Sequence, residues 1–534
     1  MKRKGGSCEM IGYQTKGLSM DITGYNGMLK ITIDPRLELL AIIQYLSGSK
    51  MVGNSGVYAT AIEAWFSEYK NYPVIQILKN MESRGYSHDL PVSSFLLFED
   101  YTCNKQSFFW DPTSEEMNLK RLDYIAEKTA LDDFYKLVGQ FAINSDFTGF
   151  FASQKEFYRK RVRDAEDVLK NNPDMIAHMI GYYGYSHESY TLAISPLVIG
   201  GYGPALIDQE GGTHTFCVVD LDFSKISERE FKQVSSWFFH EFSHSFINPL
   251  VEEHWDILKE GEQVFEQIAD KMEKQNYGSW WITVAEHFVR VSVIRLSELY
   301  YHIDSSKLLE GEKGRGFIFI SSTYEGILKY EVAHKQEGVD YASFFPTMAQ
   351  YFIDRTAISQ DGLDNFLKFQ GPMNSVFVED DVLIIYPDPI RVEGVQEYII
   401  PSVEWLKNKG YEVVTDKTAQ EMDLSQRNLC IYGSWGSNLI LKKFSKEMPF
   451  DIHPDKIIAD KSYKGNKLRI ALCLPNPLNS KKGMCVYTAQ TTVAMKNAAA
   501  IFHGPEDWYV SNSELEVLAS GYFKDKNKDI DWSF

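Results

Sequence analysis

The chain has 534 residues, enough for two or more domains with separate cores. Its formal net charge is −18, from 55 Lys and Arg against 73 Asp and Glu, and such a surface repels phosphate backbones and excludes nucleic-acid binding without a local basic patch. The densest basic stretch, Lys155 to Arg163, reads at helical spacing as a solvated helix face rather than a binding stripe.

No apolar run reaches the roughly 20 residues of a membrane helix, so no transmembrane segment is expected. The first residues, MKRKGGSCEM, are basic, but no apolar stretch of a signal peptide follows. Cys8, Cys103, Cys217, Cys430, Cys473 and Cys485 are scattered without a C-x-x-C pair. That argues against a Cys-ligated metal and a disulfide framework, and predicts free thiols.

In chain order, residues 1–28 are rich in Gly and Ser and are expected to be loosely held. Ile31 to Ile33 reads as a short strand, and Pro35 opens a helix with apolar Leu37, Leu40, Ile43 and Leu46. Helical patterns continue to about Asn171, with Trp65, Phe95, Phe134, Phe141 and Phe157 as aromatic core candidates. Tyr190 to Ile199 and His214 to Asp220 read as strands around a glycine-rich connection. Ser227 to about Ile353 reads as helical, broken by a Gly-rich loop at Glu310 to Gly316. After Gly371-Pro372 the pattern changes. Strands are expected at Val382–Tyr386, around Val413, and at Leu429–Tyr432, Leu468–Leu474 and Met484–Tyr487. Helices are expected at Val395–Lys409 and near Thr492–Phe502. That alternation predicts a small α/β domain over 373–534 with a largely parallel sheet.

His240-Glu241-Phe242-Ser243-His244 carries the chemistry. Residues four apart share a helix face, so both imidazoles can reach one zinc ion. Glu241, rotated by about 100°, can reach a water on that metal instead and act as general base. The pentapeptide pattern arises by chance in roughly one chain of this length in fifty at average residue usage, so its context matters. Ser227 to Glu230 reads as a capping box. Phe231, Val234, Phe238, Phe242 and Phe246 follow at spacings of three and four, and Pro249 is expected to end the helix.

Two histidines need a third protein ligand. Six residues after His244 stands Leu250, so a third His at that spacing is excluded. Glu266, with Asp270 four residues on, and Glu286 are the candidates. Glu266 lies about 200° from both Val264 and Ile268 and points to the polar side of its helix. Glu286 lies within Trp280 to Leu296, which is apolar nearly all round and therefore reads as buried. A charge there needs a partner, and Arg290 at i+4 can orient the carboxylate or bind an oxyanion. Glu286 is the preferred ligand. Tyr300 and Tyr301 are further candidates for the oxyanion.

Residues 240–249, His-Glu-Phe-Ser-His-Ser-Phe-Ile-Asn-Pro, resemble the extended motif of a bacterial domain-of-unknown-function family of uncharacterised, metallopeptidase-like proteins. Ile33 to Leu40 resembles that family's N-terminal Asn-Pro-x-x-Glu-Leu segment. Ala285 to Arg290 resembles its Asn-Glu-x-x-Val-Arg segment, with Ala285 in place of Asn. The resemblance covers about residues 30 to 370. It implies a gluzincin-like zinc site with Glu286 as third ligand, and leaves the substrate open. It also implies a place in the cell envelope or outside the cell, because members usually carry export signals; the cytoplasm is the alternative. Tyr386 to Pro389, Pro475 to Asn479 and His503 to Trp508 resemble an accessory segment found beside bacterial peptidase-like domains. The Asn and Pro there serve turns. Gly433 to Asn438 follows a strand but lacks dinucleotide- or phosphate-loop spacing, and reads as structural.

The expected fold is an α+β, zincin-like metallopeptidase domain over 29–372, mostly helical with a small antiparallel or mixed sheet, followed by the smaller α/β domain. The expected function is peptide-bond hydrolysis. Zn2+ is held by His240, His244 and Glu286, with Glu241 as general base, Arg290 as supporting catalytic residue, and a peptide or protein as partner. The edge of the Tyr190 to Ile199 strand, or of its Gly-rich continuation, is expected to receive an extended peptide. The alternatives are an inactive peptidase-fold binding module and a zinc hydrolase of non-peptide amides.

Overall fold

The computed structural model describes residues 22–534 except 54–55, 111–127, 171–173, 227, 359–362, 364–365, 378–380, 499–505, 525 and 527–531. The chain is a mixed helix-and-sheet protein that divides into two compact units, residues 1–249 and 250–534. The change of texture near residue 372 falls inside the second unit.

In the first unit, β1 (Thr23–Asn26), β2 (Leu29–Thr32), β3 (Phe109–Trp110), β4 (Ser189–Ile194), β5 (Gly201–Tyr202), β6 (Ala205–Ile207) and β7 (Thr213–Val219) form one sheet. Its order is β1-β2-β4-β7-β6-β3, with β5 also paired to β7. The centre is parallel, β2 with β4 and β4 with β7. It is buried through Ile31, Leu192, Cys217 and Val218. β1 was expected to be loose chain. Instead it pairs with β2 across a two-residue turn in which Gly27 takes φ 60°, a conformation glycine adopts without steric cost. Residues 1–21 lie outside the described residues.

α1 (Pro35–Ser47) explains the Ile33 to Leu40 segment in physical terms. Asp34 caps the helix by accepting from the Arg36 amide, and Pro35 fits the first turn. Arg36 also pairs with Asp34 at 2.6 Å and donates to the Leu96 and Phe98 carbonyls. Burial works against the Asp34 charge, but Arg36 overcomes it and holds the carboxyl below its usual range. One turn on, the buried Glu38 carboxylate accepts from the Tyr58 hydroxyl at 2.5 Å and from Ser195 Oγ at 2.7 Å. This segment is a structural knot between the first helix and the sheet.

α2 (Val57–Phe66), α3 (Pro73–Glu82), α4 (Asp89–Leu96), α5 (Lys128–Asn144), α6 (Phe147–Ser153), α7 (Lys155–Leu169) and α8 (Met175–Tyr183) complete this part of the chain. Phe95, Phe134 and Phe141 are fully buried, whereas Trp65 is 39% exposed and spends its Nε1–H on the Ser145 carbonyl. The basic stretch on α7 is neutralised locally. Arg159 pairs with Glu156, Lys160 with Asp164, and Arg161 with Asp220 and Asp222.

α9 (Glu228–Glu253) carries the His-Glu-x-x-His motif, and the division between the units falls within it. The helix does not end at Pro249 but continues four residues beyond it. Proline forfeits one helical hydrogen bond, and burial of Leu250 and Val251 on the following turn offsets that loss. The Ser227 end of the expected capping box lies outside the described residues.

The second unit continues with α10 (Trp255–Leu258), α11 (Glu262–Glu273), α12 (Trp280–Tyr301), α13 (Ser305–Arg315), α14 (Ile320–Glu337) and α15 (Tyr341–Ile353). The stretch expected as a Gly-rich loop is the body of α13. Gly314 is there for close approach, since a Cβ would lie 2.4 Å from the Gly371 carbonyl oxygen, and only Gly316, at φ 112°, terminates the helix.

Beyond lies a seven-stranded sheet of β8 (Val382–Tyr386), β9 (Glu412–Thr415), β10 (Asn428–Tyr432), β14 (Arg469–Asn476), β15 (Asn479–Ala489), β16 (Trp508–Ser511) and β17 (Val517–Gly521). Its order is β17-β16-β14-β15-β10-β8-β9. The pairs from β9 to β15 are parallel and those from β15 to β17 antiparallel, so the sheet is mixed rather than largely parallel. The hairpin between β14 and β15 is the reason: Asn476 Oδ1 accepts from the Leu478 amide and closes a short turn. A three-stranded antiparallel sheet of β11 (Asp451–His453), β12 (Lys456–Ile458) and β13 (Ser462–Lys464) was not expected. The helix expected near Thr492–Phe502 is a 3-10 turn at Val493–Met495, and residues 499–505 lie outside the described residues. Asn438 Nδ2 donates to the Ile385 and Tyr432 carbonyls, so the Gly433 to Asn438 loop ties two strand ends together.

The described cysteines are all buried and unbridged. Among the described residues, no helix is long and apolar enough to cross a membrane.

Candidate metal centre

The apolar face of α9 fixes the direction of its polar one. Phe231, Val234, Phe238, Phe242 and Phe246 are buried, as are Phe239 and Ile247. The Phe246 ring stacks on Tyr183 at 4.2 Å, and Phe242 meets the Tyr190 ring edge-on at 5.9 Å. The Tyr183 hydroxyl donates to Ser243 Oγ at 2.7 Å. These contacts lock the helix against rotation and leave His240, Glu241 and His244 on a half-buried face.

The Nε2 atoms of His240 and His244 lie 3.2 Å apart. Two bare lone pairs at that distance repel, so a proton or a cation belongs between them. Tetrahedral zinc with Zn–N bonds of about 2.05 Å separates two nitrogens by about 3.3 Å, close to the spacing here. His244 Nδ1 faces Asn248 Oδ1 at 3.2 Å. The amide oxygen is an acceptor, so it fixes the proton on Nδ1 and frees Nε2 for a metal. Asn248 was read from the sequence only as part of the extended motif; its position four residues after His244 is the signal that identifies this role.

Glu286, on α12, is 5% exposed. One ligand atom from each of His240, His244 and Glu286 falls within a mutual 4.8 Å. Two imidazoles and a carboxylate are a donor set suited to zinc with one position left open. Glu266 and Asp270 lie on the exposed side of α11. Glu241 packs against the glycine-rich segment after β4: a Cβ on Gly201 would lie 2.6 Å from Glu241 Oε1, and one on Gly203 would lie 2.2 Å from the Glu241 carbonyl oxygen. These glycines are required by close approach, not by backbone angle.

Arg290 donates from Nε to Glu286 at 2.9 Å, from one terminal nitrogen to Glu312 at 2.8 Å, and from the other to the Tyr277 hydroxyl at 2.7 Å. Its guanidinium lies 4.1 Å from the Phe317 ring centre. Burial works against the charge, but Glu312, Tyr277 and Glu286 hold it well above the ordinary guanidinium range. Burial pushes the Tyr277 hydroxyl up to about 12. Glu312 and Tyr277 were not singled out from the sequence, because neither forms a short-range pattern with Glu286. Tyr300 and Tyr301 lie fourteen and fifteen residues beyond Glu286 on the same helix, about 21 Å along its axis, too far to serve at its carboxylate. His287 is a satisfied core residue. Its Nδ1 bonds to the Thr283 carbonyl, its Nε2 accepts from the Phe319 amide, and burial lowers it to about 4.

β4 is flanked by β2 and β7, so the strand expected to offer an edge has none free. Its Gly-rich continuation forms β5, which pairs with β7 and lies against Glu241.

Residues 29–351 match the family described as Domain of unknown function (DUF4932), and the chain belongs to that family. No curated protein and no solved structure matches the chain.

Proposed function

We propose that this chain is a zinc-dependent metallopeptidase with a zincin-like, gluzincin-type centre. The observation that carries the reading is the convergence of His240, His244 and Glu286, with Glu241 adjoining His240 in sequence on the half-buried face of α9. His240, His244 and Glu286 would hold the ion. Bound there, zinc supplies polarisation of the substrate carbonyl and a lowered pKa for the attacking water.

Glu241 takes the proton of that water as its oxygen attacks the peptide carbonyl, and returns it to the leaving amine. Asn248 keeps His244 in the ligating tautomer. Arg290 acts as a positioning residue that holds the Glu286 carboxylate in place. The Gly201 to Gly203 segment lets the backbone approach Glu241, and an extended peptide beside it is the substrate geometry that fits. A location in the cell envelope or outside the cell rests on the family resemblance alone.

The test is turnover of a broad peptide library by the wild-type chain and Glu241→Gln, with zinc measured in both. Cleavage by the wild type and none by a zinc-loaded variant is expected. Equal cleavage by both overturns the role of Glu241. Turnover confined to small non-peptide amides makes the chain an amidohydrolase, and zinc binding without any turnover makes it a binding module.

A further inference from the structure

Ser189, His214 and Asp208 form a hydrogen-bonded relay in the first unit. Ser189 opens β4, and His214 is its register partner on the parallel neighbour β7. Ser189 Oγ lies 2.8 Å from His214 Nδ1, and His214 Nε2 lies 2.8 Å from Asp208 Oδ2. Asp208 is itself anchored, because its Oδ1 accepts from the Glu210 and Gly212 amides at 2.9 and 2.8 Å. The hydrogen bonds from His214 and from these amides hold its carboxyl below the usual range. The Phe108 ring meets the imidazole edge-on, 5.1 Å between centres.

An ionised Asp208 accepts the proton on Nε2, so Nδ1 of the neutral ring presents its lone pair to the Ser189 hydroxyl. This is the arrangement of a hydroxyl nucleophile, a base and a group that orients the base. The chemistry requires one bare nitrogen and one hydrogen-bonded nitrogen, whichever faces the serine. The relay is also reachable, since the His214 and Asp208 side chains are 19% and 22% exposed and Ser189 is half-buried. It is separate from the metal centre. Tyr190 turns to the sheet face that packs on Phe242 of α9, and strand alternation places Ser189 on the opposite face.

We propose that Ser189 is the nucleophile of a second hydrolytic site that takes small activated esters, with His214 as its base and Asp208 as the group that orients it. Ser189 Oγ forms a bond to the ester carbonyl carbon while its proton passes to His214 Nδ1. The ester C–O bond breaks, and the alcohol leaves with that proton. Water then attacks the acyl carbon and gives a proton to the same nitrogen; the acyl C–Oγ bond breaks, Ser189 Oγ takes that proton from His214, and the acid leaves.

The experiment treats the intact chain with a fluorophosphonate probe and locates the adduct by peptide mass spectrometry. An adduct on Ser189 is expected, absent from Ser189→Ala. His214→Gln keeps a hydrogen-bonding side chain but removes the base, and should label about 100-fold more slowly. Glu241→Gln should label like the wild type, so this result stands or falls apart from the metallopeptidase reading. No adduct on Ser189 in a folded wild-type chain, or equal rates in His214→Gln, overturns the proposal and leaves the trio as a staple between strands.

Discussion

Glu38 offers a sharp test of how the first helix is held. Its carboxylate is 1% exposed and is met by two hydroxyls, Tyr58 and Ser195. Burial raises it from 4.5 to about 7, against the lowering effect of those two hydrogen bonds. A carboxyl raised in the folded state binds its proton more tightly there than in the unfolded chain. Stability from this group is therefore greatest below the unfolded value and falls as pH rises through the folded one. At 1.36 kcal/mol per pH unit, the difference amounts to about 3 kcal/mol between pH 4 and pH 8. Glu38→Gln keeps the size and removes the charge; its amide oxygen accepts from one of the two hydroxyls, and its NH2 donates to the other, which must turn to accept. Urea unfolding of both chains at pH 5, 6, 7 and 8 isolates the effect as a difference, because the remaining carboxylates are common to both. The variant should gain on the wild type by about 2.5 kcal/mol as pH rises from 5 to 8. Parallel profiles would refute a buried, high-pKa Glu38.

Arg290→Ala leaves Glu286 and Glu312 without their shared cation. A loss of about 3–5 kcal/mol is expected in the metal-free chain by urea unfolding, together with weaker zinc binding by competition titration. Asn248→Ala removes the acceptor for His244 Nδ1 and should weaken zinc about 10–100-fold with little change in unfolding midpoint. Gly203→Ala pushes a methyl against the Glu241 backbone, whereas at Gly201 it meets the movable end of the side chain. The first should cost about 1–3 kcal/mol and the second less, both measured by urea unfolding.

The parts of the structure legible in the sequence are those set by local periodicity. The four phenylalanines and one valine spaced along α9, the apolar run of α12 and the strand of β8 each lie where their patterns place them. Boundaries that depend on tertiary packing were not legible. Pro249 and Gly314 carry local signals for breaks, yet both sit inside helices, one offset by burial of the next turn and the other required by close approach to Gly371. The same limit applies to the site. His240, Glu241 and His244 follow from spacing on one helix, and Glu286 from the cost of a charge in an apolar helix. Glu312, Tyr277 and the Gly201 to Gly203 contact join Arg290 or Glu241 from elements distant in sequence, so no spacing rule finds them. Ser189, His214 and Asp208 were hidden for a related reason: the parallel register that pairs β4 with β7 is set by the whole sheet.

The most direct test of the central claim is the metal content of the purified chain, measured side by side with Glu286→Ala. About one zinc per chain in the wild type, lost in the variant while the fold survives, is the expected result. Absence of zinc from both, even after zinc is added back, would contradict the account and reduce His240, His244 and Glu286 to a hydrogen-bonded cluster.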